Sequence, residues 1–190
     1  MDSPGTTDSS AATAGGTRPH RRIYRDRFLF SVLVLSLVAD QLTKQLVVTS
    51  MRLGESVPAQ GFLRITYVTN TGSIFGLFQG QTFALSIASF VGVAVLLYFY
   101  HAHQLPGLLL RTSLGLQLGG AIGNLADRLR LGHVVDFIDV GRWPIFNLAD
   151  SSIVIGITVL VSIFMLEERA SKRGDSRPAP LEEGKPATDD

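Results

Sequence analysis

Residues 124–127 read Asn-Leu-Ala-Asp, and residues 147–150 read Asn-Leu-Ala-Asp again. On helical backbone an Asn three residues before an Asp shares its face. Each copy therefore presents one amide and one carboxylate, and two such faces that meet bring Asp127 and Asp150 together. Two close carboxylates do not both ionise easily, so one keeps a proton near neutral pH. The pair is then a base beside an acid. The ionised Asp takes a proton from a water attacking a peptide carbonyl. The protonated Asp hydrogen-bonds the carbonyl oxygen and later protonates the leaving amine. This chemistry needs no metal, no cofactor and no covalent intermediate. Which Asp starts protonated is left open by coupled titration. Singly, Asp127 also reads as an interfacial residue paired with Arg128 or Arg130, and Asp150 as a helix cap. The duplication favours the facing pair.

The elements that must position this pair are membrane spans. The chain has 190 residues, of which 46% are hydrophobic and 17% charged, with no cysteine and a formal net charge of +1. Soluble domains carry about 25% charged residues, and here the few charges are pushed outward. Of 17 basic and 16 acidic residues, 8 fall in 1–27 and 12 in 167–190, leaving 13 in the long middle. This composition excludes a disordered chain, a disulfide scaffold and a nucleic-acid binder with a large basic field. Four stretches approach the roughly 20 apolar residues of a transmembrane helix: about Phe28–Val48, Phe83–Tyr100, Leu108–Ala126 and Pro144–Leu166. The first, near 20 residues, is longer than the roughly 7–15 residues of a signal-peptide core and lacks a convincing cleavage site, so a retained helix is expected. In the third, Gly115, Gly119 and Gly123 recur every four residues with Gly120 adjacent, a small-residue stripe that lets helices approach closely.

Arg18, Arg21, Arg22, Arg25 and Arg27 precede the first span, and Arg169, Lys172, Arg173 and Arg177 follow the fourth. The positive-inside rule then puts both termini in the cytoplasm, against the opposing Arg128, Arg130 and Arg142 of one outward loop. Residues 1–27 and 167–190 read as disordered cytoplasmic tails flanking a domain at 28–166. The outward connections, about 49–82 and 127–143, carry strand patterns at Leu63–Val68 and His133–Val140, with an apolar run Ile74–Phe78. They form either a small amphipathic β-rich platform on the bilayer or two hairpins that only connect helices. The expected fold is an all-α membrane protein of four transmembrane helices with that platform between spans one and two and spans three and four.

Other chemistries lack support. His20, His101, His103 and His133 show no zinc spacing. No serine has a nucleophile-elbow context, a Ser–Lys pair would have to use Lys44 with no motif, and no phosphate-binding glycine loop occurs. A small proton-coupled carrier using buried carboxylates is the alternative function, although a relay needs groups through the membrane depth. A non-catalytic assembly protein held by the glycine stripe would leave the repeat unexplained.

Five blocks resemble the lipoprotein signal peptidase family (signal peptidase II), in the family's order. They are Asp40-Gln-Leu-Thr-Lys44, Asn70-Thr-Gly-Ser-Ile-Phe-Gly76, Gly119-Gly-Ala-Ile-Gly-Asn-Leu-Ala-Asp-Arg128, Val134-Val-Asp-Phe-Ile138 and Phe146-Asn-Leu-Ala-Asp-Ser151. The resemblance covers about residues 28–166; Ser73-Ile74 and the long tails are mild departures. It implies an intramembrane aspartyl endopeptidase of the bacterial inner membrane, with its site near the extracytoplasmic face. Its substrates would be prolipoproteins, cut before a diacylglyceryl-modified cysteine. The resemblance implies Asp127 and Asp150 as the catalytic dyad. Asn124, Arg128 and Asn147 would shape the site and hold substrate, Asn70 and Asp40 would contact substrate or support it, and Asp136 would be structural. The expected partners are those prolipoproteins and membrane lipids, not nucleic acid, and the enzyme is expected to be a monomer.

Overall fold

A computed structural model describes residues 26–71, 82–102 and 107–175. The expected N-terminal tail before Asp26, the C-terminal tail after Asp175, Gly72–Gly76 of the second block, the run Ile74–Phe78, His20 and His103 lie outside the described residues. In chain order the elements are α1 (Arg27–Ser50), β1 (Ser56–Val57), β2 (Arg64–Asn70), α2 (Thr82–Ala102), α3 (Leu108–Leu131), β3 (Val134–Asp139) and α4 (Leu148–Asp175). The helix ends are chemically marked. Asp26 accepts from the Leu29 backbone N–H at 3.3 Å and caps α1. Gly132, at φ +76°, takes the left-handed turn that ends α3, its N–H reaching the Arg128 carbonyl. Helix α4 passes the boundary expected at residue 166 and continues to Asp175.

Among the described residues, three helices are long and apolar enough to cross a membrane: Arg27–Ser50, Phe83–Ala102 and Leu148–Ala170. Helix α3 is less apolar and packs against all of them. The distribution of side chains is inverted relative to a water-soluble bundle. Leu35, Leu42, Phe90, Tyr98, Val154 and Leu166 point outward and exposed, while Asp40, Lys44, Ser113, Gln117, Asn124 and Asp127 are buried. An apolar exterior this extensive suits lipid, and polar groups inside such a bundle must satisfy one another. Ser113 Oγ accordingly donates to the Gly156 carbonyl at 2.8 Å, and Gln117 Nε2 donates to Ser113 Oγ at 3.0 Å.

The glycine stripe sets helix separations, but on two sides of α3. A Cβ at Gly119 would stand 2.7 Å from the Leu33 carbonyl of α1, and one at Gly123 would stand 2.6 Å from Asp40 Oδ2. Gly120 instead faces α4, where a Cβ would strike the Ala149 carbonyl. Backbone cannot move aside as a side chain can. Gly120→Ala is therefore expected to destabilise the protein by about 2 kcal/mol, read as a lower melting temperature in detergent. An unchanged melting temperature would show that the α3–α4 spacing is slack.

The strands of the two outward connections pair with each other. The sheet is antiparallel in the order β1-β2-β3, with Ile65 opposite Ile138, Val68 opposite Asp136 and an irregularity between Ile65 and Val68. This joins the two loops into one body rather than two separate hairpins. Asp139 fastens it, accepting from Arg64 Nη2 at 2.6 Å, Thr66 Oγ1 at 2.9 Å and the Gly141 N–H at 3.1 Å. Burial pushes the Asp139 carboxyl up, but these hydrogen bonds together hold it below the usual range. Ile138 also bridges to Phe146, and that return delivers Asn147 to the start of α4.

Candidate active site

The repeated tetrapeptide has two different local structures. At 147–150 it is a reciprocal cap: Asn147 Oδ1 accepts from the Asp150 N–H at 2.9 Å, and Asp150 Oδ2 accepts from the Asn147 N–H at 3.3 Å. At 124–127 it lies inside α3, where the backbone N–H groups are already used and the side chains are free to reach across helices. Asn124 turns toward α4 and donates through Nδ2 to Asp150 Oδ1 at 2.7 Å. Asp127 turns toward α1. Its Oδ2 pairs with Lys44 Nζ at 2.8 Å and its Oδ1 accepts from Gln41 Nε2 at 3.0 Å. The Val135 N–H adds a third bond at 3.4 Å.

Asp40 and Lys44 are four residues apart on α1 and meet at 2.9 Å. Asp40 also accepts from the Ala149 N–H at 2.9 Å, so it satisfies a backbone donor in the first turn of α4. The third hydrogen bond of Lys44 goes to Asn124 Oδ1 at 2.9 Å. All of these groups are nearly or fully inaccessible, with Asp40 at 0% and Lys44 at 3% exposure. Buried charges persist only when paired and hydrogen-bonded, and here each carboxylate oxygen of Asp40 and Asp127 has a donor.

A second carboxylate occupies the place beside Asp150. Asp136, on β3, accepts from Asn147 Nδ2 at 2.6 Å through one oxygen and from Asn70 Nδ2 at 2.9 Å through the other. Asn147 thus holds Asp136 with its side-chain amide and Asp150 with its backbone N–H. Burial pushes the Asp136 carboxyl up to about 6, and the Asp150 carboxylate adds to the rise. The bonds from Asn70 and Asn147 and the charge of Lys44 oppose it without cancelling it. Asp136 therefore holds its proton well above the usual carboxyl range.

Asp150 opens onto a groove of about 470 Å³ between α2, α3 and α4, whose wall also includes Ser89, Gln117, Asn124, Arg128 and Ile153. Arg128 donates to Ser89 Oγ at 3.1 Å and to the Asn124 carbonyl at 3.4 Å. It also borders a second, more apolar groove of about 530 Å³ walled by Phe83, Phe90, Leu125 and Leu129.

Of the residues expected at the site, Asp40, Asn70, Asn124, Asp127, Asn147 and Asp150 enter this connected hydrogen-bond network. Arg128 sits on its groove side. The network also holds Lys44, Gln41 and Asp136, which sequence reasoning left out of the site. Lys44 had a legible signal, since Asp40 and Lys44 at i, i+4 share a helix face. The position of Asp136 had none, because it depends on pairing between β2 and β3 across 66 residues of chain.

Comparison with known proteins agrees with this architecture. A family model described as signal peptidase (SPase) II matches residues 32–166. The lipoprotein signal peptidase of Moorella thermoacetica is 47% identical over 140 residues, which is 70% of this chain and 87% of that protein. Its counterpart in Halothermothrix orenii is 38% identical over 142 residues, 74% of this chain and 97% of the relative. A bacterial membrane enzyme solved by the in meso method at 2.3 Å superposes with a TM-score of 0.71 at 30% identity, covering 85% of this chain and 99% of the other. The helical bundle with apolar spans, the small antiparallel sheet and the matched region coincide, and the chain belongs to the signal peptidase II family of membrane peptidases.

Proposed function

We propose that the chain is an intramembrane aspartyl endopeptidase that removes signal peptides from bacterial prolipoproteins, cutting before the diacylglyceryl-modified cysteine, with Asp136 and Asp150 as its acid–base pair. The observation that carries the pair is Asn147, which bonds to both carboxyl groups at once. Asp127, favoured by the repeat, is 3% exposed, is absent from the groove wall, and has an ammonium and two further donors on its oxygens. It shares the Lys44 ammonium with Asp40. In our reading Asp127 supports the site from behind, and Asp136 takes the role that both the repeat and the resemblance gave to Asp127.

Asp150, facing the groove, takes the proton from the attacking water. Asp136, whose proton is retained by burial, hydrogen-bonds the scissile carbonyl oxygen as the tetrahedral intermediate forms. That intermediate collapses with release of the amine, which leaves with a proton from the pair. The diad then returns to one proton between two carboxyls. Arg128, Asn124 and Asn70 border the space where substrate backbone would lie.

In this reading α3 is the fourth span, its polar residues covered by the three more apolar helices, and the Arg-rich tails keep both termini cytoplasmic. The sheet lies on the extracytoplasmic side, and the enzyme works as a monomer. A carrier is disfavoured because Asp40, Lys44, Asp127, Asp136 and Asp150 gather in one network, leaving no chain of such groups through the bundle among the described residues.

The test is cleavage in detergent of a diacylglyceryl-modified prolipoprotein against the same precursor unmodified. Cleavage of the first alone is expected, and equal cleavage of both would remove the lipid from the specificity. A pH profile follows from the Asp136 shift. The raised carboxyl is the required acid, so kcat/KM should fall as pH rises through about 6, where Asp136 loses its proton. A profile flat across that range would mean that another group carries the proton.

A further inference from the structure

Lys44 lies behind the two reacting carboxyls and touches neither, yet its contacts determine what faces them. An ammonium has three donors, and all three are engaged: Asp40 Oδ2 at 2.9 Å, Asp127 Oδ2 at 2.8 Å and Asn124 Oδ1 at 2.9 Å. Charge attraction accounts for the first two. The third goes to a neutral amide. Because Asn124 Oδ1 is held by Lys44, its Nδ2 is directed at Asp150 Oδ1, 2.7 Å away. A flipped amide would set NH₂ against an ammonium and oxygen against a carboxylate, donor to donor and acceptor to acceptor. Asn147 Nδ2 also donates to Asn124 Oδ1 at 3.2 Å, but its shorter bond is to Asp136.

We propose that Lys44 is a positioning residue of the reaction: its ammonium orients the Asn124 amide toward Asp150 and supplies the positive charge beside the reacting pair. This rests on the Asp136–Asp150 reading above. The charged groups surrounding the pair come from two elements besides its own two. Asp40 and Lys44 are on α1 and Asp127 and Arg128 on α3, while β2 adds the neutral Asn70. Helix α2 lines the groove with Ser89, Gly92, Val95 and Leu96, and its ionisable Tyr98, Tyr100 and His101 lie beyond them near its C-terminal end. Lys44 is thus the buried cation of this set, and its charge opposes the rise that burial imposes on Asp136. With that charge gone, Asp136 keeps its proton to higher pH.

A purely architectural lysine and a positioning lysine make different predictions for enzyme that folds. Lys44→Met leaves two buried carboxylates facing each other, so Lys44→Met/Asp127→Asn is examined beside it to remove one negative charge along with the positive one. Both full-length variants are purified in detergent, and rates are counted per folded molecule on the diacylglyceryl-modified precursor. The proposal expects kcat to fall about 30-fold in the double variant, against about 10-fold in Asp127→Asn alone assayed beside it, with KM little changed. In Lys44→Met, where only the positive charge is removed, it also expects the alkaline limb of kcat/KM to move up by about one pH unit. Wild-type kcat with an unmoved limb in folded Lys44→Met overturns it, as does a double variant no slower than Asp127→Asn or a loss carried entirely by KM. Asp150→Asn, assayed in parallel, separates the two readings. If it still turns over, the pair itself falls, whereas a dead Asp150→Asn beside a normal Lys44 variant overturns only the role of Lys44.

Discussion

Asp136→Asn and Asp150→Asn should each lose on the order of 10³-fold or more in turnover while remaining inserted and folded, because each removes one proton-transfer group. Asp127→Asn is the informative control. Asp127 is bound to Lys44 and Gln41, so its amide should lower the melting temperature and reduce turnover per folded molecule far less, by about 10-fold. The measurement is initial rate on the diacylglyceryl-modified precursor, normalised to folded protein by thermal unfolding. Turnover at the wild-type level in Asp136→Asn would return the catalytic role to Asp127, as the repeat suggests. An Asp127→Asn variant as stable as wild type and as inactive as Asp150→Asn would do the same.

The second large effect concerns the junction of three helices. Asp40→Ala is expected to destabilise the protein by about 3–5 kcal/mol, the usual consequence of removing one partner from a buried charged cluster. Asp40 is fully buried, bonded to Lys44 at 2.9 Å and to the Ala149 N–H of α4 at 2.9 Å. Its loss leaves that helix-terminal donor unsatisfied and Lys44 with one carboxylate. Asp40→Asn keeps an oxygen for Ala149 and should cost about half as much. Thermal unfolding in a single detergent reads both. A melting temperature for Asp40→Ala within experimental error of wild type would mean that water or Gln41 replaces the lost contacts.

The two predictions share a physical cause. Of five clustered ionisable side chains, Asp40, Lys44, Asp127 and Asp136 are buried and Asp150 lies half-buried at the groove. In such a place each charge must be matched locally. Asp40 and Asp127 share the single ammonium of Lys44, and backbone and amide donors from Ala149, Gln41 and Val135 hold the charge left over. Asp136 and Asp150 are held by neutral amides from Asn70, Asn124 and Asn147, and so they are hydrogen-bonded without being neutralised. Hydrogen bonds from amides fix a carboxyl in place while leaving it able to gain or lose a proton. An ion pair fixes its charge as well. In the proposed mechanism, that difference separates the supporting acid from the reacting ones.

Much of this was legible from residue order. Membrane residence follows from charge expelled to the chain ends, since hydrocarbon penalises any unpaired charge. The spans, the β patterns at 63–68 and 133–140, the glycine stripe and the polar residues near the outer helix ends are all local or periodic features. The blocks around Asp40, Asn70, Asn124, Asp136 and Asn147 likewise contain every residue of the network. The residue blocks of the candidate site were therefore readable without coordinates, but not the part each residue plays in it.

What spacing does not carry is orientation between elements. Asn124 and Asp127 lie three residues apart, close enough in angle to suggest one face, yet α3 is packed on several sides. That packing sends Asn124 to α4 and Asp127 to α1. The same tetrapeptide is a helix cap at 147–150 because its backbone N–H groups there are unpaired, and a cross-helix bridge at 124–127 because they are not. Asp136 becomes the neighbour of Asn147 only because β3 pairs with β2 and the chain returns past Ile138 to Phe146. The residue types alone pointed to clustered carboxyls in a membrane-embedded protein. The tertiary structure decided which carboxyls are ion-paired with Lys44 and which are held by amides alone, because burial and ion pairing act through space rather than along the chain.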